Sequence, residues 1–493
     1  MSPRLSWPTA LWLAAKGGRS DVVRIALTAA GSAAGTVALL SAATVISIGP
    51  ADGPYSSRVL EEEGLHQGVV MALVLLFIPV LAFVGQCSRV GAPARDRRLA
   101  AIRLAGASPR DATRIACGEA GFAAGIGAIA GLGLYLVGRI LLGTPVIEPY
   151  LRITRTPVEG GVEILQEEVI GPVLRLPTDV LPPVWAVAAI VLLLPLGAAA
   201  FTRLALRGVT ISPFGVIRHR RVQPPRLLPA VLFVVGVVAL ASFSTVATAL
   251  DLDLSGSAGP ALGLVLLLLA AAGLVLGNAA LAAGIGGFVA PRSGRPEVLI
   301  AARRLCADPF AASRAFGALL LTVLIGAGAQ GVRASILAGT DPEDTFYADT
   351  LRLVDLVIVV AVVVASLGLL VVAAEGIVAR RRSLAALTAA GTPVGVLRRA
   401  LLVEVLLPLL PMALLATAAG IVAARGVFGT EYIQSDYSAT GQLLAERVTS
   451  VPVPWTGLGV LLGGTVLVTM LTISTSLLFL RRSTDPAELR AAA

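Results

Sequence analysis

The side chains with the clearest capacity for chemistry are arginines and a glutamate in a string that occurs twice. The first copy runs from Arg97 to Glu119 and the second from Arg382 to Glu404. Laid over each other without a gap, the copies match at eight of 23 positions, where this Ala- and Leu-rich composition gives roughly two by chance. The shared Ala-Gly pair suits a tight turn.

Each copy predicts the same local structure, which we call an elbow: a short helix, a tight turn and a new helix that enters the membrane. In the first elbow, residues 97–105 favour a helix, and Gly106 can take the left-handed conformation that ends it. Ser108, Pro109 and Asp111 then match a helix cap, a first-turn proline and a capping-box acid. The first elbow therefore extends from Arg97 to Arg114.

The second elbow extends from Arg382 to Arg399, and Thr392-Pro393 is predicted to start its new helix. The register of the copies differs in one detail, because Pro109 lies ten residues before Glu119 and Pro393 lies eleven before Glu404. One residue turns a helix by about 100°, so the two glutamates are predicted to face different directions. Both are interpreted as helix-start acids, placed where the helix dipole favours a negative charge.

Membrane-spanning helices must position the elbows, because the chain is too apolar for a soluble protein. Of its 493 residues, 56% are hydrophobic and only 14% are charged, and the mean hydropathy is +0.87. We predict an all-α polytopic membrane protein with ten transmembrane helices, since ten segments reach the roughly 20 apolar residues that cross a bilayer. These segments are 22–47, 69–88, 115–142, 185–203, 228–248, 260–289, 315–337, 353–378, 398–424 and 455–480.

The distribution of basic residues predicts that both termini and both elbows lie in the cytoplasm. In that orientation, 30 of the 39 Lys and Arg residues fall on inner loops and inner helix ends, where basic loops are retained. The opposite orientation inverts this ratio. The net charge of +9 and the pI near 10.3 therefore reflect topology and attraction to anionic lipid, and nucleic-acid binding is not expected.

The repeat organises the chain as two four-span modules around a two-span insert. No cleaved signal peptide is expected at the N-terminus. The predicted divisions are an interfacial amphipathic segment at 1–21, the first module at 22–207, a cytoplasmic linker at 208–227, the insert at 228–289, a cytoplasmic linker with an interfacial segment at 290–314, the second module at 315–481 and a cytoplasmic tail at 482–493.

Catalytic and metal-binding chemistry is not expected. The two histidines, His66 and His219, are far apart on opposite predicted faces, so they make a metal site improbable and leave no convergent catalytic group. Asn278 and Gln330 are the polar residues expected deepest in the membrane, and interhelical hydrogen bonding is the favoured reason for both.

The elbow motifs resemble those of a known family. Leu-Ala-Gly-Ala-Ser at 104–108, followed by Arg114 and Glu119, resembles the R-A-L-G-A-S…R…E signature of the FtsX-like permease family of ABC transporters. Residues 389–392 with Arg399 and Glu404 resemble its second copy. The resemblance covers both four-span modules and implies a ten-span, internally duplicated permease. Unlike some members of that family, the chain has no large extracellular domain.

The resemblance implies a partner ATPase, and the sequence requires a separate one if transport is ATP-driven. A Walker A loop needs a lysine after a glycine-rich turn, whereas the single lysine, Lys16, precedes Gly17. We expect one permease on two ABC ATPase subunits, with ATP and Mg²⁺ bound by the partner and no cofactor in this chain. The residues expected to couple the ATPase are Arg97, Arg98, Arg103, Gly106, Ala107, Ser108, Pro109, Arg110, Arg114, Arg382, Gly391, Thr392, Pro393, Arg398 and Arg399, with the helix-start acids Glu119 and Glu404.

The expected function is the membrane subunit of an ABC transporter in a plasma membrane of the bacterial inner-membrane type, without enzymatic activity of its own. Its apolar interior suits export or extraction of an amphiphile such as a lipid, a lipopeptide or a hydrophobic antibiotic. One alternative is a non-transporting permease that transmits ATPase work to an external partner. A less favoured alternative is an ion-coupled carrier, which usually places ionisable residues near the membrane midplane.

Overall fold

A computed structural model gives the fold of the chain. It describes residues 19–49, 52–56, 60, 69, 70, 73, 74, 77, 79–81, 83, 84, 86, 87, 104, 108–158, 161–206, 227–249, 258–340, 346–437 and 443–477. These residues form two compact units. The first contains the described residues from 19 to 206 together with 352–357, and the second contains those from 227 to 351 and from 358 to 477.

The described part of the chain is mostly helical. Its helices are α1 (Arg19–Ile46), α2 (Pro109–Leu142), α3 (Val184–Leu206), α4 (Leu228–Ala241), α5 (Phe243–Ala249), α6 (Ala258–Val289), α7 (Pro296–Ala307), α8 (Pro309–Ala338), α9 (Phe346–Ala379), α10 (Arg381–Ala389), α11 (Val394–Phe428) and α12 (Trp455–Ser476). Its strands are β1 (Val146–Val158), β2 (Gly161–Val173), β3 (Glu431–Tyr437) and β4 (Leu443–Ser450).

Seven of the described helices are long and apolar enough to cross a membrane, so the protein is a polytopic, membrane-embedded one. The pair α4 and α5 gives an eighth candidate with a 60° bend, and α3 contributes a shorter apolar stretch, Val184–Ala200. In the predicted span at 69–88, every described residue is helical, and the others fall outside the described residues. The glycine-rich α6 is one unbroken helix of 32 residues, longer than the 20 or so that a perpendicular span needs.

Small residues hold the helices of the first unit close together. A Cβ atom on Gly127 of α2 would overlap the carbonyl oxygen of Ala29 on α1, so only glycine permits this approach. The Ser32 hydroxyl donates to the Ala124 carbonyl oxygen across 2.8 Å at the same interface. Contacts of this kind, rather than hydrophobic burial, stabilise helix pairs in lipid. Helix α3, in the same unit, packs against both α1 and α2.

The second unit is built around the contact between α8 and α11. Gly420 of α11 lies against the Leu324 backbone of α8, where a Cβ would overlap the carbonyl oxygen. On α8, Leu319, Leu320 and Val323 are fully buried. Helix α12 packs on both α8 and α11, while α6 packs on α4, α7 and α8. The inner core of the unit is therefore formed by α8.

Two β-hairpins accompany the helices of this mostly helical protein, which is consistent with the predicted all-α class. Strands β1 and β2 are antiparallel, with Val146 opposite Val173, and β3 pairs with β4 in the same way. Each hairpin follows a long helix and lies between two predicted spans, where no strand is predicted. Pro149 and Pro157 lie within the first strand. Proline cannot donate a hydrogen bond to a neighbouring strand, so a segment that contains it does not match the usual sequence pattern of a strand.

An arginine near the end of the preceding helix anchors each hairpin at its base. Arg139, in the last turn of α2, donates to the carbonyl oxygen of Val180. Arg425, in the last turn of α11, donates to the carbonyl oxygen of Val451 across 3.1 Å. Both carbonyls belong to the segment that leads from the hairpin into the next helix, so helix end, hairpin and following helix are tied together within each unit.

Candidate functional site

The second elbow has the predicted structure of a helix, a tight turn and a new helix. The N–H of Thr392 donates to the Leu387 carbonyl oxygen, and the N–H of Gly391 donates to that of Thr388, each across 3.0 Å. This pair of bonds is the Schellman arrangement that ends a helix, and it needs a left-handed residue. Gly391 supplies it with φ of +90°. Pro393 then caps α11, with φ of −62°.

A small apolar core fixes the angle between the helices of this elbow. Leu384 of α10 and Leu397 of α11 are each 1% exposed, and they cluster with the buried Ile377 at the end of α9. Leu387 and Val394, on either side of the turn, pack against this cluster. The elbow is therefore a packed corner, and a displacement of α10 is passed to α11 through side chains in contact.

Glu404 connects the second elbow to two further elements by ion pairs. Arg380, the residue before α10, donates to Glu404 Oε1 across 2.8 Å, and Arg304 of α7 donates to Oε2 across 3.0 Å. The Glu404 side chain is 16% exposed, Arg304 is 20% and Arg380 is 34%. Partly buried arginine–carboxylate bonds are stronger than exposed ones, since less solvent screens them. We call these three residues the arginine–glutamate triad.

The triad borders a cavity of about 360 Å³ within the second unit. Its charged lining also includes Asp308, at the end of α7, and its other walls are mostly apolar. Residues from α8, α9, α11 and α12 contribute to those walls. The cavity therefore combines hydrogen-bond donors with an apolar surface, which is the usual composition of a ligand site.

The first elbow is described from Ser108 onward. Ser108 caps α2 by accepting from the N–H of Asp111, and the Asp111 carboxylate accepts in return from the N–H of Ser108, which confirms the predicted capping box. Pro109 is the first residue of α2. Arg114 Nη1 lies 4.0 Å from Asp111 Oδ1. Arg97, Arg98, Arg103, Gly106 and Ala107 lie outside the described residues.

The two glutamates occupy the same position in their helices, contrary to the predicted difference in direction. Glu119 lies ten residues after Pro109, where α2 starts, and Glu404 lies ten residues after Val394, where α11 starts. The proline spacing misleads because Pro109 is the first helical residue, whereas Pro393 is the cap before it. Both glutamates lie beyond the first turn, over which the helix dipole acts. Glu119 is only 3% exposed.

The other predicted elbow residues divide by exposure. Arg110 and Arg399 are exposed, and Thr392 is half-buried. Arg398 is half-buried, and its Nε has no hydrogen-bond partner among the described residues. Arg382 lies in α10. None of these residues belongs to the triad, so the elbow presents separate exposed and internal charges.

Sequence reasoning missed the pairing of Arg304 and Arg380 with Glu404. In the sequence, Arg304 lies within the predicted linker that contains an interfacial segment, and Arg380 lies just before the second elbow. A signal did exist, because a glutamate repeated at equal depth in two membrane helices requires a cationic or hydrogen-bonding partner.

Two further expectations concern buried polar groups. Asn278 is fully buried, yet neither side-chain atom has a hydrogen-bond partner among the described residues, which does not support interhelical bonding there. Gln330 is 8% exposed and lies beside Gly457 of α12. In the part of the chain that the structure describes, no cluster of three or more His, Cys, Asp or Glu could hold a metal ion.

Helices, anchored hairpins and a packed elbow define a polytopic helical membrane protein. Comparison with known proteins adds no narrower identity: no protein-family model, no curated protein and no solved structure matches the chain.

Proposed function

We propose that this chain is the membrane subunit of an ATP-driven transporter, an FtsX-like permease that separate ABC ATPases move through the elbows. The observation that carries the proposal is the second elbow, in which Arg380 and Glu404 join the residue before α10 to the helix after the turn. A force applied to α10 therefore reaches α11 through an ion pair and a packed apolar core. A packed corner of this kind can couple a partner to membrane helices.

Parallels between the units support an internal duplication. In the first unit α2 packs on α1 and α3, and in the second α11 packs on α8 and α12. Each of these long helices carries a glutamate ten residues from its start and ends at an arginine-anchored hairpin. These shared features extend the sequence repeat of eight matches in 23 positions to tertiary contacts.

Exposed arginines give the proposed ATPase a place to bind. Arg110 is exposed on the first turn of α2 and Arg399 on the second turn of α11, on the side that the positive-inside rule assigns to the cytoplasm. Two such sites fit two ATPase subunits on one permease. The membrane would be a plasma membrane of the bacterial inner-membrane type.

Amphiphiles are the proposed substrates. Leu192, Leu193 and Leu196 of α3 are each more than 60% exposed, as expected for a surface in lipid. A lipid, a lipopeptide or a hydrophobic antibiotic can reach such helices from within the bilayer, and extraction or export would then follow ATPase-driven movement.

Co-purification and ATP hydrolysis test the proposal. The chain is co-expressed with ABC ATPases of its native host, one at a time, and the purified complexes are assayed in lipid nanodiscs. We expect one ATPase to co-purify and hydrolyse ATP, and we expect Arg399→Glu to weaken that association about tenfold, since a reversed charge repels the same partner surface. Arg292→Glu, at an exposed arginine outside the elbow, should leave it unchanged.

Two outcomes would overturn the proposal. One is that the ATPase associates equally well with the wild type, with Arg399→Glu and with a variant that lacks Gly391 and Thr392. The other is movement of a fluorescent amphiphile that continues without ATP and follows a proton gradient, which would identify an ion-coupled carrier instead.

The hairpins favour a second candidate function, transmission of ATPase work to an external partner. Each strand of the first hairpin has 13 residues, which gives an extended element of about 40 Å. If ATP hydrolysis persists while no amphiphile moves, and replacement of residues 147–172 by a short Gly-Ser linker abolishes the cellular effect of the transporter, transmission is the function. Amphiphile transport that survives this replacement excludes it.

A further inference from the structure

The cavity beside the triad has a chemical character that force transmission does not require. At about 360 Å³, it lies at the small end of ligand sites and matches a lipid headgroup rather than a whole lipid. One part of its wall is formed by Arg304 and Arg380, and another by apolar side chains such as Val372, Leu401 and Ile473. The cavity therefore has both a polar and an apolar surface, which suits a ligand with a polar and an apolar part.

The two arginines retain donors that Glu404 does not use. A guanidinium group carries five N–H donors, and each arginine gives one hydrogen bond to Glu404. Both side chains border the cavity and remain partly exposed. Two adjacent guanidinium forks are well suited to phosphate oxygens, which they bind by paired hydrogen bonds.

The formal charge of the lining is balanced, because Glu404 and Asp308 offset the two arginines. Long-range attraction therefore does not explain a preference for an anion, and the local geometry of the guanidinium groups must do so. A ligand that also places hydrocarbon on the apolar wall gains more than a free anion, since burying each CH₂ group is favourable.

From these features we propose that the cavity binds the phosphate of a membrane phospholipid, with only the hydrocarbon next to the headgroup against the apolar wall. Helix α7 and the second elbow place the cavity near the cytoplasmic interface predicted from the arginine distribution, where inner-leaflet headgroups lie. Lipid binding at this site does not require an ATPase, so it can be tested separately from the proposed function.

Two variants test the site in different ways. Arg304→Gln removes one guanidinium group. Gly376→Leu adds an apolar side chain to the cavity lining, next to Arg380, because a Cβ on Gly376 meets only Arg380 Nη2, at 3.9 Å. Arg292→Gln is the matched control, since Arg292 is an exposed arginine that is not in the cavity lining and bonds to the Phe288 carbonyl oxygen.

The full chain is purified in a maltoside detergent, stripped of lipid and titrated with phosphatidylglycerol, and bound lipid is counted by native mass spectrometry. We expect one tightly bound lipid in the wild type and in Arg292→Gln. Binding should be about tenfold weaker in Arg304→Gln and in Gly376→Leu, through the loss of charged hydrogen bonds or of space. Thermal melting of each variant verifies that it is folded.

Competition identifies the source of the phosphate group. Inorganic phosphate at millimolar concentration should not displace the lipid, and a diacylglycerol, which lacks phosphate, should not bind at this site. The proposal is overturned if Gly376→Leu, folded by melting, binds phosphatidylglycerol as the wild type does. It is also overturned if inorganic phosphate displaces the lipid fully or diacylglycerol binds equally well.

Discussion

Arg380 Nη1 lies 2.8 Å from Glu404 Oε1, so the residue that precedes the short helix of the second elbow is bonded to the third turn of the helix that follows it. Arg304 holds the other carboxylate oxygen. One carboxylate of α11 thus bonds α7 and the residue between α9 and α10, close to the turn at Gly391. Ion pairs and apolar packing both stabilise the second elbow, and separate substitutions can weaken each of them.

Replacing Glu404 by Gln should destabilise the second unit. The change removes the carboxylate that both arginines bond in a partly buried place, where breaking a pair costs several kcal/mol. With the exposure of the arginines taken into account, we expect a loss of about 2 kcal/mol, measured as a lower thermal midpoint in detergent. Glu431→Gln, at an exposed glutamate on β3, serves as the control. Equal midpoints for the two variants would show that the triad adds no stability.

Replacing Gly391 by Val should strain the turn of the second elbow. A β-branched residue at φ of +90° costs about 1–2 kcal/mol, and the Schellman bonds of the turn should loosen. Hydrogen exchange at Thr392, whose N–H bonds to the Leu387 carbonyl oxygen, should accelerate. Gly395→Ala is a matched control, since Gly395 lies in the first turn of α11 with open space around it. It should stabilise slightly, by about 0.5 kcal/mol. Unchanged exchange at Thr392 in Gly391→Val would contradict the role of the turn.

Replacing Gly127 by Ala should separate α1 from α2. The new methyl group would overlap the Ala29 carbonyl oxygen, and backbone atoms cannot rotate away as a side chain can. Overpacking of this kind costs about 1–3 kcal/mol. Gly133→Ala lies on the same helix with nothing within 4 Å of its Cβ, so its thermal midpoint should equal or exceed that of the wild type. Similar midpoints for both variants would mean that the helices do not approach as described.

Tyr55 should make the first unit sensitive to alkaline pH. Burial, followed by its hydrogen bond to Asp179, raises the pKa of Tyr55 well above its ordinary value of 10.0, and the phenol donates to Asp179 Oδ1 across 2.9 Å. The stabilisation is complete below pH 10, because both states are then protonated. It is lost as pH rises further, because the unfolded state ionises first. The loop that carries Tyr55 lies outside the candidate span Ile25–Ile46.

The measurement compares Tyr55→Phe with the wild type by thermal unfolding. Near neutral pH the variant should be less stable by about 1 kcal/mol, the net value of one hydrogen bond, and the difference should shrink as the pH passes about 10. Tyr432→Phe, at an exposed tyrosine, controls for general alkaline effects. A difference that is constant with pH would exclude the ionisation of Tyr55 as its cause.

The local parts of the elbows could be predicted from sequence, because their determinants lie within a few residues. The capping box needs only Ser108 and Asp111, and the helix end needs only Gly391 with the carbonyls of the preceding turn. The apolar runs likewise predict helices, since each run depends on its own composition. The register of Glu119 and Glu404 was misread because a proline can occupy either the cap or the first helical position.

The triad could not be predicted in the same way. Arg304 and Glu404 are separated by 100 residues, and their meeting depends on how α7 packs on α11, which no local pattern encodes. The hairpins could not be predicted for a different reason. Their strands are paired over almost their full length, but prolines at 149 and 157 weaken the strand pattern of the first. The anchoring bonds of Arg139 and Arg425 to backbone carbonyls carry no sequence signature at all, because any residue can supply the acceptor.

The continuity of α11 has a practical consequence for following the protein at work. Its 35 residues form one helix about 52 Å long, with Pro408 and Pro411 inside it, the elbow turn at one end and Arg425, bonded to the segment after the hairpin, at the other. If the helix moves as one body, a rotation at Gly391 displaces its far end by several ångströms. A spectroscopic probe on the exposed Glu431 position would report such a movement from the far end of α11, without any label near the proposed ATPase site.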